Sequence, residues 1–193
     1  MMIKHIKHIF AEFEHGIDKW DDPRERMFEG TMVKGRPTRG FGDSTFNYAG
    51  KLYEPEPWTN KMQLIKVAAE DVASKVFNKE IKFTFCLCGF YPDDKGIPHH
   101  SDTVPTLDDI VVSLSFGAPR VFAWRTYQNN IKQHTNTSDV DLKENFIKDE
   151  KLYLLDHGDV IMFDGYSQMK ATHAVPDLVG AEERVNLTFR SGL

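Results

Sequence analysis

The sequence predicts a mainly β fold with flanking helices, a sandwich or barrel of short strands. Two observations predict it. Beyond residue 80, runs rich in aromatic and β-branched residues recur at fairly regular spacing, punctuated by Gly, Pro and Asp. Only two segments carry apolar residues at helical spacing. Size fits the same reading: 193 residues, 40% hydrophobic and 12% aromatic, can bury one sizeable core and leave little room for a second domain.

Taken in order, Ile3, Ile6, Ile9, Phe10 and Phe13 predict a first helix on which His5, His8 and His15 face solvent. From Gly30 to Trp58 the chain is rich in Gly and Pro with Phe and Tyr interleaved, which reads as loops and short strands rather than a linker. Leu64, Ile65, Ala68, Ala69, Val72 and Val76 predict a second helix, with Asn60 as its N-cap. Strands follow at Lys82–Tyr91, Ile110–Phe116, Val121–Trp124, Lys151–Leu155, Asp159–Phe163 and Arg184–Arg190, with both helices packed outside them. The stretch Ser138–Glu150, with five acids against two lysines, reads as an exposed loop or short helix.

A formal charge of -5, from 24 Lys+Arg against 29 Asp+Glu, argues against binding nucleic acid by bulk charge and leaves room for a local basic patch. Two acid-free basic runs are candidates: Lys34, Arg36 and Arg39 within Thr31–Gly40, and Arg120, Arg125 and Lys132 within Gly117–Gln133. Each could grip phosphates or be plain solvated surface. The two cysteines, Cys86 and Cys88, lie two apart in a strand-like run and point to one side without the reach of an easy bridge. That fits a reducing, intracellular setting, cytoplasm or nucleus. No apolar run approaches the roughly 18 residues of a membrane span, and the first residues lack the apolar core of a signal peptide. The reading is an intracellular monomer without a membrane partner.

Of eight histidines, His100 stands out because Asp102 follows it. In an extended segment, residues two apart point the same way, so an imidazole and a carboxylate would converge. A third ligand would complete the triad of two His and one carboxylate that holds Fe(II) with open positions. His173, in Lys170-Ala-Thr-His173-Ala-Val-Pro176, is the natural third ligand. His99 is a rival to His100 but would face away from Asp102, and His157, before Gly158-Asp159, reads as a turn residue. Arg184-Val-Asn186-Leu-Thr188-Phe-Arg190 puts four hydrogen-bonding side chains on one face of a strand and Val185, Leu187 and Phe189 on the other. An edge strand with a solvated polar face would look the same. Two guanidiniums in one cleft, however, call for an anion, and a dicarboxylate offers two bidentate partners.

With these motifs assembled, the sequence resembles the AlkB family of Fe(II)/2-oxoglutarate-dependent dioxygenases, over roughly Gly30 to Arg190. Arg184-Val-Asn-Leu-Thr-Phe-Arg190 matches the family's RxNxTxR signature, and His100-Ser-Asp102 matches its HxD. His173, eleven residues before Arg184, matches the distal iron ligand, and Tyr91, nine before His100, matches a tyrosine that helps bind 2-oxoglutarate. Leu155-Asp-His-Gly158-Asp159-Val-Ile-Met-Phe163 is similar to the strand before the distal His, and Tyr48-Ala-Gly50 with Pro55-Glu-Pro57-Trp58 to the upstream part of the DNA-repair members. The resemblance implies a double-stranded β-helix (jelly roll) with helices buttressing one sheet. It implies a single domain over 1–193 in which 30–58 form a nucleotide-recognition lid.

The same resemblance implies Fe(II) on His100, Asp102 and His173, and 2-oxoglutarate on Tyr91, Arg184, Asn186 and Arg190, with O2 as oxidant. It implies oxidative demethylation of bases such as 1-methyladenine and 3-methylcytosine in methylated DNA or RNA, with succinate, CO2 and formaldehyde released. Tyr48 would stack on the target base, with Phe46 and Arg39 as further substrate contacts. Phe46 could equally fill a hairpin core. Two departures stand out. Gly89 occupies the place of the family's usual Asn, so one hydrogen bond to 2-oxoglutarate is missing or supplied elsewhere. Val104 stands where repair members often carry an acid that contacts the damaged base. That departure, with the acidic total, keeps a second reading open: the same chemistry on a protein or small molecule.

Overall fold

In a computed structural model of the chain, the described residues are 3–23, 25–28, 31–48, 51–102, 104, 106, 108–131 and 146–191. Fourteen strands and one α-helix are described, besides a single 3-10 turn at Ser167–Met169, in this chain order: β1 (Ile3–Ile6), β2 (Glu25–Phe28), β3 (Thr31–Lys34), β4 (Thr38–Gly42), β5 (Phe46–Tyr48), β6 (Lys51–Tyr53), α1 (Asn60–Phe77), β7 (Phe85–Tyr91), β8 (Ile97–His100), β9 (Ile110–Gly117), β10 (Arg120–Tyr127), β11 (Ile147–Leu155), β12 (Val160–Asp164), β13 (Ala171–Val175) and β14 (Arg184–Arg190). A six-stranded sheet runs β1-β12-β9-β14-β7-β4, and a four-stranded sheet runs β11-β10-β13-β8. From β8 onward the chain passes back and forth between them, the jelly-roll arrangement. The β2-β3 and β5-β6 hairpins form separate two-stranded sheets.

Alternation within the strands builds two apolar layers. On β14, Val185, Leu187 and Phe189 join Val112 and Leu114 of β9 and Met62, Ile65, Ala69 and Ala73 of α1. The opposite faces turn toward the four-stranded sheet, where Val111, Ile161 and Phe163 meet Phe122, Trp124 and Val175. Sheets covered on both sides are buried throughout, and every residue of β14 is buried. The N-cap is Thr59, and Asn60 is the first helical residue: Thr59 Oγ1 accepts the Met62 N–H at 3.2 Å. It ends on Asn78 in the left-handed region, φ +51°.

The expected first helix is not one. Ile3–Ile6 is an edge strand paired with β12, Ile3 opposite Phe163 and Ile6 opposite Val160. His8 at φ +55° then turns the chain, and the Phe10 N–H donates to Gly158 O at 2.9 Å. The segment is tied down by the buried Asp159 carboxylate, which accepts from His5 Nε2 and the His8 N–H, each at 2.8 Å. His5 is therefore a structural partner rather than a solvated residue, and half-buried His15 lies edge-on to Phe116.

The expected acidic loop is in part a strand, since β11 begins at Ile147; residues 138–145 lie outside the described residues. The segment expected as a lid divides in three. Its β3 pairs with β2, its β4 is an edge of the six-stranded sheet, and its β5-β6 hairpin is a separate two-stranded sheet packed on Phe85. Cys86 and Cys88 are free and buried, with their sulfurs 3.7 Å apart. No described helix is long and apolar enough to cross a membrane.

Candidate active site

The site lies between the sheets, where the end of β8 meets the middle of β13. Register sets His173 directly opposite His100, and Asp102 follows two residues past that pair. His100 Nε2 lies 3.8 Å from Asp102 Oδ1, and His173 Nε2 lies 3.8 Å from Asp102 Oδ2. One ligand atom from each residue falls within 4.8 Å of the others.

Neighbouring groups aim these side chains. Pro98 O accepts from His100 Nδ1 at 2.8 Å, which leaves the Nε2 lone pair directed at the centre. Burial pushes the His100 pKa down, against the pull of Asp102 and the Pro98 carbonyl, and Arg36 and Arg190 lower it further. The neutral imidazole so favoured is the form that ligates a metal. The His173 ring stacks near Phe122 (5.3 Å between centroids, 16°) and Trp124 (6.1 Å, 8°). Gln168 Oε1 accepts the Asp102 N–H at 2.7 Å and fixes the backbone that carries the carboxylate. His99 turns elsewhere, its Nδ1 3.0 Å from Thr172 Oγ1. His157 sits at a turn, its Nδ1 accepting the Gly117 N–H at 3.1 Å. Two imidazoles on paired strands and a carboxylate two residues beyond one of them are a donor set that fits Fe(II) and leaves coordination positions open.

The inner face of β14 lines the same pocket with Arg184, Asn186, Thr188 and Arg190. Arg190 Nη2 is 3.6 Å from Asp102 Oδ2, so Arg190 belongs to the metal end. Arg184 marks the other end. Its Nη2 donates to Ser115 Oγ at 2.8 Å, and its guanidinium carbon lies 5.0 Å from the centroid of the Tyr91 ring. Its Nε and Nη1 have no hydrogen-bond partner among the described residues. Burial pushes the Arg184 pKa down; Tyr91 opposes this, while the charges of Arg36 and Arg120 add to it. A buried cation in that position is stabilised by an anion brought in from outside.

Asn186 Nδ2 donates to Ser113 Oγ at 2.6 Å and to Leu114 O at 3.1 Å, and its Oδ1 accepts from Thr188 Oγ1 at 2.9 Å. Its amide protons are thus engaged within the sheet, and the side chain braces this wall.

The expected substrate contacts come out differently. Phe46 is fully buried, its ring stacked on Phe85 at 4.2 Å and 9° and its centroid 5.3 Å from the Arg190 guanidinium carbon. It packs under the site and presents no surface to a base, as the hairpin-core alternative had it. Arg39 is bridged to Asp21 at 3.3 Å and to Glu56, so it is not a free phosphate contact. Tyr48 ends β5 opposite Lys51; its side chain lies outside the described part of the structure. In the second basic run, Arg120 is fully buried and donates to the carbonyls of Asp93, Asp94 and Glu182. Arg125 pairs with Glu150, and Lys132 lies outside the described residues. Val104 is buried in the layer with Trp124 and Phe163.

Sequence reasoning missed several members of the site. Ser113 and Ser115 carried a signal, two hydroxyls at strand spacing within the apolar run Ile110–Phe116. Gln168 carried none. Arg36 drew notice only as part of a basic run, yet it lines the pocket with Tyr91, His100 and Arg184.

Known proteins agree with this architecture. The family model described as the 2OG-Fe(II) oxygenase superfamily matches residues 12–190. Alpha-ketoglutarate-dependent dioxygenase alkB homolog 3 of Rattus norvegicus is 32% identical over 166 residues, 83% of this chain and 51% of the rat protein. DNA oxidative demethylase ALKBH2 of Arabidopsis thaliana is 33% identical over 86 residues, 42% of this chain and 27% of that protein. The chain therefore spans about half the length of the first of these relatives. The solved structure of OsALKBH1 superposes with a TM-score of 0.63 at 19% identity, covering 98% of this chain and 97% of that one. A match across nearly the whole chain, with the triad and the arginine strand in one pocket, leads to one conclusion: the chain belongs to the 2OG-Fe(II) oxygenase superfamily, among its AlkB-like members.

Proposed function

We propose that this protein is an Fe(II)- and 2-oxoglutarate-dependent dioxygenase that oxidatively demethylates N-alkylated bases, such as 1-methyladenine and 3-methylcytosine, in DNA or RNA. Residues 1–193 act as one catalytic domain, with the exposed parts of 30–58 as the lid over the base. One observation carries the reading: a metal-ligand triad and an incompletely paired buried arginine face each other across a single pocket.

In this reading His100, Asp102 and His173 hold the iron. Iron with 2-oxoglutarate and O2 supplies an oxidation of a C–H bond coupled to loss of CO2 and formation of succinate. Arg184 and the Tyr91 hydroxyl receive the carboxylate far from the metal, and Ser115 keeps the guanidinium pointed at it. Arg190 steadies Asp102 from the metal side. Asn186, Thr188 and Ser113 hold this wall in place. Phe122, Phe163, Val175 and Ile97 make the rest of the pocket apolar and exclude water. A methylated base must leave its stack to enter. Hydroxylation of its N-methyl group gives a hemiaminal, which collapses to the free base and formaldehyde.

Incubation with iron(II), ascorbate, 2-oxoglutarate and oligonucleotides bearing 1-methyladenine or 3-methylcytosine tests this. Loss of the methyl by mass, with succinate formed, is expected. Succinate without demethylation on any single- or double-stranded DNA or RNA would support the alternative, a hydroxylase or demethylase of a protein or small molecule. Val104 favours that alternative, because an apolar residue buried in the core offers no carboxylate to a base. No succinate at all would leave a binding module with the same residues.

A further inference from the structure

We infer that Arg36 is a co-substrate-binding residue: seated over the bare backbone of Gly89, its guanidinium is a second cationic contact, beside Arg184, for the dicarboxylate. This rests on the proposed use of 2-oxoglutarate but not on the nucleic-acid substrate.

Gly89 sits on β7 in register with Asn186 of β14, two residues before Tyr91. It leaves a notch at that position, and Arg36 fills it: a Cβ on residue 89 would collide with Arg36 Nε. The chain bearing Arg36 is stitched to β7 at this spot. The Phe90 N–H donates to Pro37 O at 2.9 Å, and Thr38 pairs with Gly89 at the start of β4. Pro37 restricts the same backbone. Arg36 is therefore held by its neighbours in sequence rather than carried on a free loop.

From that seat the guanidinium carbon lies 5.1 Å from the Tyr91 centroid, against 5.0 Å for Arg184. Two cations about one phenol ring repel each other, and the positive charge of Arg36 is felt at Arg184. A third, Arg120, lies 6.0 Å from the ring, but it is fully buried and bound to backbone carbonyls, so it is structural. Arg36 and Arg184 both line the pocket that holds the triad. A dianion entering between them relieves the repulsion and accepts from both forks. The function of a side chain at position 89 is thus supplied from the connection between β3 and β4.

The test is calorimetric binding of 2-oxoglutarate to the Mn(II)-loaded protein, without nucleic acid, for wild type, Arg36→Met, Gly89→Asn and the double variant. Arg36→Met should weaken 2-oxoglutarate about tenfold or more, the range for a hydrogen bond to a charged group, with Mn(II) affinity unchanged. Gly89→Asn displaces the guanidinium but brings its own amide, so it should weaken binding less than Arg36→Met does. The double variant should be no weaker than Arg36→Met alone, because both changes act on one contact. Wild-type affinity in Arg36→Met would overturn the inference. So would equal losses of Mn(II) and 2-oxoglutarate, which mark a structural role, or an effect seen only in the KM for the oligonucleotide. If the binding results hold and no oligonucleotide is demethylated, the nucleic-acid reading fails and the role of Arg36 stands. A wild type that binds Mn(II) but no 2-oxoglutarate removes both.

Discussion

His100 is oriented by the Pro98 carbonyl, and His173 by rings stacked alongside it. Both holds are made by the protein itself, and they align the ligands. His173→Ala should therefore leave the fold intact while lowering Mn(II) affinity by about 100-fold or more, beyond what loss of an outer-shell partner costs, and abolishing succinate formation. A variant that keeps turnover would sink the ligand assignment. Arg39 shows the opposite case. It was a reasonable phosphate contact in a run without acids, yet Asp21 and Glu56, 18 and 17 residues away in sequence, close on it in space. Arg39→Gln should leave oligonucleotide affinity unchanged and cost less than about 1 kcal/mol in chemical denaturation, since its partners are about half exposed. A clear loss of nucleic-acid binding would restore it to the substrate side.

Among the elements, β14 was legible because its seven residues alternate strictly and both faces are specialised. The helix α1 was legible from the apolar spacing between Leu64 and Val76. A four-residue strand such as β1 has no period to read: Ile3 and Ile6 fit a helix equally well, and their partner β12 lies more than 150 residues away. The edge strand β4 was masked by its glycines, where Gly40 admits Tyr53 and Gly42 the Thr84 carbonyl at distances no side chain would allow. The β1 junction carries its own prediction. Burial acts to raise the Asp159 pKa, but the Asp156 N–H, the His5 side chain and the His8 N–H outweigh it and hold the carboxyl below its ordinary value. A depressed carboxyl contributes stability above about pH 4, the unfolded-state value, and loses it as pH falls through the folded pKa. Asp159→Asn should thus cost about 1–3 kcal/mol at pH 7. The gap to wild type should narrow as pH drops below about 4. A gap that stays constant with pH would show that the ionised form contributes nothing.

For the molecule as a whole, the charge balance in space differs from the balance along the chain. The sequence carries 24 Lys+Arg against 29 Asp+Glu, and its two acid-free runs looked like grips for a polyanion. Folding neutralises or buries Arg39, Arg120 and Arg125. Arg36 is drawn into the pocket, which leaves Lys34 as the exposed cation of the first run among the described residues. On the proposed nucleic-acid substrate, an enzyme of this charge would hold the oligonucleotide mainly by the base in the pocket and by few phosphates, on the order of two or three. The salt dependence of binding reads that number directly, at about 0.7 per phosphate for single strands. Affinity for a methylated single-stranded oligonucleotide should therefore fall only about tenfold between roughly 50 and 200 mM salt, and most of it should vanish when the methylated base is replaced by an abasic site. A fall of a thousandfold or more over the same range would mean many phosphate contacts, and would require cations beyond these two runs.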